Sequence, residues 1–582
     1  LTESGYFDNS PKWVLEGNAM IWLSDREGMR SHGSWGSQRD VYAMFFDQGA
    51  FDRFQLSKEE FEAVKEKEKE EKDKEKNKDK GKTKERKKEP ARTAIMDLEN
   101  VEDRVVRLTA NSSDLADMVL SPDGETLYYL SKFEGGHDLW VNKLREKETK
   151  LLVKLTGKGG SLRIDKEGKK LFLLSDGKIL KINTNDKKAT PVAFKAEFNL
   201  NREAEYTYLF EHIWRQVLKK FYRVDMGGVD WEFYKKAYTP FLSHIADNHD
   251  FAEMASEMLG ELNASHTGCF YRPSSPDEDE TARLGAFYEE NYTGSGLKIL
   301  EIIDKSPLKK ASSRIIPGVI IEKIDRQPIV PDRDYFQLLN HKAGKPTLLS
   351  LYSPTHGTRW EETVKPVTIK EENELLYQRW VKNRREETER LSNGRIGYVH
   401  VKSMNDSSFR VTYSEILGRY NDKEAMIVDT RFNGGGHLHE DLAKLLNGKK
   451  FFEAVPRGQH IGVEPRDQWY KPSVVLIGEG NYSNAHGFPY VYHKLGIGKL
   501  IGMPIPGTMT SVWWERLQDQ TLTFGIPMVG YLDETGNYLE NQQLEPDFPV
   551  ENDPAVVTTG RDQQLEKGVQ VLLETLGKNN KE

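Results

Sequence analysis

Short apolar runs separated by turn residues fill the first two hundred positions. Residues 10–25 read SPKWVLEGNAMIWLSD. Residues 118–132 read MVLSPDGETLYYLSK and run into HDLWVNKL, and residues 162–176 read LRIDKEGKKLFLLSD and run into GKILKINT. Each predicts a strand, a turn on Asp-Gly or an equivalent, a second strand ending in Leu-Ser, and a third strand. From Glu203 the period becomes helical. Leu209, Ile213, Val217 and Phe221 stand at four-residue steps, and DFAEMASEMLGEL predicts a second helix with Asp250 as N-cap. From about 278 to 369, TARLGAFYE, GLKILEII and GVIIEKIDRQPI return to short strands around Gly and Pro. Residues 371–391 are charged and helical in pattern, a connector. Beyond Arg395, RIGYVHV, EAMIVDTRF, PSVVLIGEG and KLIGMPI predict buried strands, with HEDLAKLL and NAHGFPYVYHKLG as intervening helices. This alternation predicts an α/β layer.

The second and third N-terminal units are 44 residues apart, measured from Leu130 to Leu174. A period of short strands at that length is the signature of propeller blades, with a small β-sandwich as the alternative. Three units cannot close a ring of at least four, and the chain opens on Leu1 without a basic and then apolar leader. Missing upstream sequence or strongly diverged blades is therefore expected. Residues 65–88, KEKEKEEKDKEKNKDKGKTKERKK, bury no core and predict a solvated insertion, either a charged helix or disordered. Residues 306–329, SPLKKASSRIIPGVIIEKIDRQPI, resemble the core of a PDZ domain, a module that adds a peptide strand to a sheet edge. The expected fold class is multidomain, mixed β and α/β. Residues 1–197 would form a partial β-propeller with a disordered charged insertion at 58–92. Residues 198–275 would be a helical part of a larger core, 276–370 a PDZ-like domain, and 371–582 an α/β domain of strand–strand–helix repeats.

Composition narrows the function. Lys and Arg number 84 against 92 Asp and Glu, a net charge of −8, which argues against nucleic acid as the main partner. No apolar run approaches the ~18 residues that span a membrane as a helix. The single cysteine, Cys269, excludes an intrachain disulfide framework and a Cys-rich zinc module. It reads as a buried, inert thiol.

Three places could carry chemistry. In DTRFNGGG, residues 429–436, a buried strand runs into three glycines whose amides could approach an anion. No Lys-Ser/Thr follows to make it a P-loop. In GEGNYSNAHGFPY, Ser483 stands at a strand-to-helix turn, where a nucleophile gains exposure; an N-cap serine is the plainer reading. His266, beside Ser265 in GELNASHTGCF, is a candidate base. His437 and His439 read as a solvated pair, since no carboxylate spacing supports a metal site.

Together GELNASHTG, DTRFNGGG, NYSNAHGFPY and GNYLENQQLEPDFPVENDP, in this order, resemble the tricorn protease family and its bacterial members, which belong with the C-terminal processing peptidases. The resemblance covers nearly the whole chain. It implies a serine endopeptidase or oligopeptidase acting through a Ser-His-Ser-Glu tetrad and an acyl-enzyme. Ser483 matches the nucleophile, His266 the base, Ser265 the serine that orients it and Glu540 the acid behind that serine. The oxyanion hole would combine the N–H of Asn484 with that of Gly434 or Gly435. No metal and no cofactor is implied. The partners would be peptides or unfolded polypeptides, with no nucleic acid and no integral membrane segment, and the family suggests a homo-oligomer. An extracytoplasmic (periplasmic) location is favoured over a cytoplasmic one. The sequence departs from the family at Asn484, often Asp there, at Gln543 and Leu544, and over GTMTSVWWE, residues 507–515. The last leaves cleavage preference open. Two other readings stand beside this one: an inactive peptide-binding scaffold, and an acyltransferase or esterase using the same serine.

Overall fold

The computed structural model describes all residues but 1, 3, 34–35, 79–95, 274, 276–277, 332 and 580–582, without side chains at 72–78 and 579. The chain divides into two compact units, Leu1–Asn199 and Leu200–Glu582. No helix among the described residues is long and apolar enough to cross a membrane.

Among the described residues, the first unit contains three four-stranded antiparallel sheets, each a meander in chain order. The middle sheet runs Asp114–Leu120, Thr126–Lys132, His137–Lys143 and Glu148–Gly157. Its second strand is apolar on both faces because both faces are covered. Leu127 and Tyr129 pack with Ile21, Val41 and Phe45 of the first sheet. Tyr128 and Leu130 pack with Leu162, Leu171 and Leu173 of the third. Gly124 closes the turn before this strand at φ +78°, a conformation that favours glycine. A fourth strand in each sheet adds to the three expected per unit.

The expectation of disorder over 58–92 is corrected for its first part: Lys58–Lys78 is helical. Ser57 and Glu60 form a reciprocal cap at its start, and interleaved Glu and Lys favour a helix through pairs four residues apart. Residues 79–92 lie outside the described residues.

In the second unit the helices Arg202–Lys220 and Asn248–Gly260 form where the periodicity predicted. The N-cap of the latter is Asp247, whose carboxylate accepts from His249 and Asp250, so Asp250 lies in the first turn. These helices do not close a core alone. Ile213, Val217, Phe251 and Met258 pack against Leu522, Phe524 and Ile526 from a hairpin of Thr510–Arg516 and Leu522–Gly530. Residues 286–364 form an antiparallel sheet of their own around Ile299, Ile321 and Leu351. The connector Ile369–Ser392 is a helix, opened by a Thr368–Glu371 capping box.

The C-terminal layer is a parallel sheet in the order Ile396–His400, Ala425–Asp429, Ser473–Ile477, Lys499–Gly502, Phe548–Pro549. The strand–strand–helix repeat is thus corrected to strand–helix alternation over its first four strands, since neighbouring parallel strands need a crossover. Helices cover both faces. Val428, Val475 and Ile477 meet Leu442, Phe488 and Tyr492 on one face; Ile427, Val474 and Leu476 meet Leu565, Val569 and Leu572 on the other.

At the carboxyl end of this sheet the Arg431 guanidinium, 3% exposed, is held by two carboxylates. It donates to Asp429 at 3.0 and 2.6 Å, to Asp562 at 3.0 and 2.9 Å, and to Gln564 Oε1 at 2.8 Å. Burial pushes the Asp562 carboxyl up, but Arg431 outweighs it and holds the group below the usual carboxylate range. Arg431→Met leaves buried Asp429 without its cation and buried Asp562 with only Arg384, at 3.4 Å. It is expected to cost about 3–5 kcal/mol near neutral pH. The loss should shrink in mild acid, where Asp562, no longer held down by Arg431, takes a proton. Denaturant unfolding at the two pH values checks both parts.

Candidate active site

Ser483 lies where the strand Ser473–Ile477 turns into the helix Asn484–Lys494, at φ 57° and ψ −124°. Few L-residues adopt that backbone, and it persists only where the surroundings over-determine it. Here they do. The Ser483 N–H donates to Thr508 Oγ1 at 3.1 Å, and the Tyr482 N–H to the carbonyl of Asn433 at 3.0 Å. Asn481 Nδ2 donates to Thr430 Oγ1 at 2.9 Å and to the Ala485 carbonyl at 3.1 Å.

The glycine loop lies directly against this turn. Gly435 has φ +95°, and a Cβ there would stand 2.7 Å from both Ser483 Cβ and the Tyr482 carbonyl oxygen. No other residue lets the two turns approach so closely. The Gly435 N–H donates to Asn433 Oδ1 at 2.8 Å, while Asn433 Nδ2 donates to the Val401 carbonyl at 2.7 Å. The amides of Gly434 and Asn484 have no acceptor among the described residues. The Asn484 side chain faces the neighbouring helix instead: its Oδ1 accepts from Leu438 and His439 at 2.7 and 3.1 Å, and its Nδ2 lies 2.8 Å from His439 Nδ1.

His266 follows the helix Asn248–Gly260 and precedes the strand Cys269–Tyr271. Its N–H donates to the Tyr482 hydroxyl at 2.7 Å, and the two rings are 4.8 Å apart. This brings the histidine to the residue before Ser483. Its Nδ1 is 2.8 Å from Ser265 Oγ and 3.0 Å from Thr510 Oγ1. Ser265 Oγ donates to Glu540 Oε2 at 3.0 Å, and the Ser265 N–H to Glu540 Oε1. Glu540, Ser265 and His266 therefore form one hydrogen-bonded line. Among the described residues, Ser483 Oγ makes no hydrogen bond to His266.

Burial sets the electrostatics. It lowers the His266 pKa to about 4, favouring the neutral imidazole that can accept a proton. It raises the Glu540 carboxyl, an effect that hydrogen bonds from Ser265 and the Met509 backbone oppose. Cys269 is buried and its thiol is pushed up to about 12, as an inert cysteine would be. His439 is half-buried and bonded to Asn484, which corrects its reading as one of a solvated pair. Among the described residues no group of three or more His, Cys, Asp or Glu could hold a metal.

Thr508, Thr510, the Tyr482 hydroxyl and the Arg431–Asp562 anchor were not singled out from the sequence. Only Tyr482 carried a local signal, its place beside Ser483. Hydroxyls in GTMTSVWWE look like any strand residues until the hairpin sets them beside His266.

Residues 202–260 match the tricorn protease C1 domain, and residues 395–550 match peptidase family S41. Tricorn protease homolog 1 of Streptomyces coelicolor is 27% identical over 440 residues, covering 72% of this chain and 41% of its own length. The tricorn protease of Thermoplasma acidophilum is 24% identical over 396 residues, covering 65% of this chain and 36% of its own. The crystal structure of the tricorn protease superposes with a TM-score of 0.79 at 18% identity, covering 99% of this chain and 55% of that one. The chain thus spans about half, or less, of each of these three proteins. With both family segments in order and tricorn relatives over most of its length, the chain is similar to the tricorn-like peptidases of family S41.

Proposed function

We propose that the chain is a serine peptidase in which Ser483 is the nucleophile, His266 the base, Ser265 its orienting partner and Glu540 the acid behind it. The observation that carries the reading is the hydrogen-bonded line from Glu540 through Ser265 to His266 Nδ1. It leaves Nε2 as the proton acceptor and supports the imidazolium once formed. The strained turn of Ser483 adds to it, set against Gly435 and reached through Tyr482.

In the proposed reaction Ser483 Oγ attacks a peptide carbonyl carbon and its proton passes to His266 Nε2. A serine–histidine contact of this kind often tightens only when substrate is bound. The oxyanion would accept from Asn484 and Gly434, whose amides are unengaged, rather than from Gly435, whose amide is held by Asn433. The C–N bond then breaks and the amine leaves with the proton from His266. Water gives a proton to His266 and attacks the acyl carbon; the bond from that carbon to Ser483 Oγ then breaks, Oγ takes the proton back from His266, and the new carboxyl product leaves.

The three four-stranded sheets of the first unit support a reading as part of a β-propeller, and the sheet over 286–364 supports a PDZ-like domain. Both would sort or present peptide substrates.

A mixed peptide pool, digested and read by mass spectrometry, tests the assignment. Cleavage by the 582-residue chain, abolished in Ser483→Ala and in His266→Ala, is the expected outcome. Equal cleavage by the Ser483→Ala protein rules this nucleophile out. Silence from a folded chain favours the peptide-binding scaffold.

The pH profile tests the base. A depressed pKa keeps His266 neutral, hence active, through the range where an ordinary histidine protonates. The value of kcat/KM should therefore hold as pH falls through 6.5 and decline only below it, toward about 4. A decline centred at 6.5 or above means His266 is not the buried base proposed.

A further inference from the structure

Thr510 begins the hairpin strand Thr510–Arg516, paired along Leu522–Gly530, and its side chain is 2% exposed. Its β-branched side chain is stiff at χ1. The hydroxyl lies 3.0 Å from His266 Nδ1 and 3.0 Å from Ser265 Oγ, and Ser265 Oγ lies 2.8 Å from the same Nδ1. One ring nitrogen thus faces two hydroxyls, and each hydroxyl has one proton to give.

Where those protons go selects the tautomer. If Thr510 donated to Nδ1, the neutral ring would carry its proton on Nε2, and Nε2 could not take one from Ser483. Glu540 disfavours this by drawing the Ser265 proton to Oε2, which makes the Ser265 hydroxyl an acceptor. The Ser265 lone pairs are then open to the Thr510 proton, which leaves Thr510 with lone pairs toward Nδ1. The hydrogen bonds can run from Nδ1–H to Thr510, on to Ser265 and then to Glu540, beside the direct contact from Nδ1–H to Ser265. A chain of donors aimed at one carboxylate is mutually reinforcing.

We infer that Thr510 is a positioning residue for the base: its hydroxyl is a second acceptor for the Nδ1 proton, holding His266 in the productive tautomer and stabilising its imidazolium. The inference deepens the proposed function and rests on it.

The test is the rate at which a fluorophosphonate probe labels Ser483, mapped by mass spectrometry across a range of pH. Wild type, Thr510→Val, Thr510→Ser and His266→Ala are compared, with melting temperatures recorded. Losing one acceptor to a charged donor should slow labelling in Thr510→Val by roughly 10- to 100-fold. Its acid limb should move to lower pH, because the imidazolium is less stabilised. Thr510→Ser should restore the wild-type limb and most of the rate. If Thr510→Val does not fold, Thr510→Ala takes its place under the same criteria. Unchanged labelling in the folded variant overturns the inference alone, as does equal slowing in Val and Ser with an unmoved limb. Wild type that fails to label at Ser483, or labels no faster than His266→Ala, overturns the peptidase reading and this inference with it.

Discussion

The site depends on a charge that cannot leave. Arg431 is buried beneath the glycine loop, gripped by Asp429 from the strand it follows and by Asp562 from the segment leading into the final helix. A buried cation is tolerable only when its partners nearly replace water, so the backbone around it has little freedom. From that fixed point the chain reaches Asn433, fully buried and bonded to Val401 and to the Gly435 amide. The Asn433 carbonyl then receives the Tyr482 amide. A few peptide units connect the ion network to the turn that carries Ser483. The strain in that turn is sustained by an anchor made elsewhere.

The same desolvation acts in opposite directions on the two ionisable members of the line behind Ser483. It lowers the histidine and raises the carboxyl, so both are driven toward their neutral forms. Hydrogen bonds restore some polarity, and Ser265 supplies most of them to Glu540 through both its hydroxyl and its amide. A serine inserted between acid and base separates the charges by a whole side chain. An imidazolium at His266 would therefore be supported through a polarised hydroxyl rather than by a carboxylate in direct contact.

Sequence patterning found elements wherever burial was one-sided or complete. The helix through Leu209, Ile213 and Val217 and the strand through Val474 and Leu476 announce themselves by period or by apolar run. It missed Glu148–Gly157, ETKLLVKLTG, because only Leu152 of that strand is buried and the rest is half-buried or exposed. It read Lys58–Lys78 as insertion because local charge pairing leaves no apolar stripe. It also treated the helices before residue 275 as a unit, although much of their core arrives with Leu522, Phe524 and Ile526. At the site, Ser265, His266 and Ser483 were legible as short motifs in a family order. Thr510 was not, because nothing local distinguishes a threonine that will face an imidazole from one that fills a strand.

The helix His439–Leu446 has no side-chain cap of its own: its N-cap is Leu438. Asn484 supplies the missing acceptor from across the site, and its amide nitrogen faces His439 Nδ1. This couples two positions in heredity. An aspartate at 484 could still cap the helix, but its second oxygen would need a proton on His439 Nδ1 where the amide now supplies one. Lineages that exchange the residue after Ser483 should therefore also change, or re-tautomerise, the histidine 45 positions upstream.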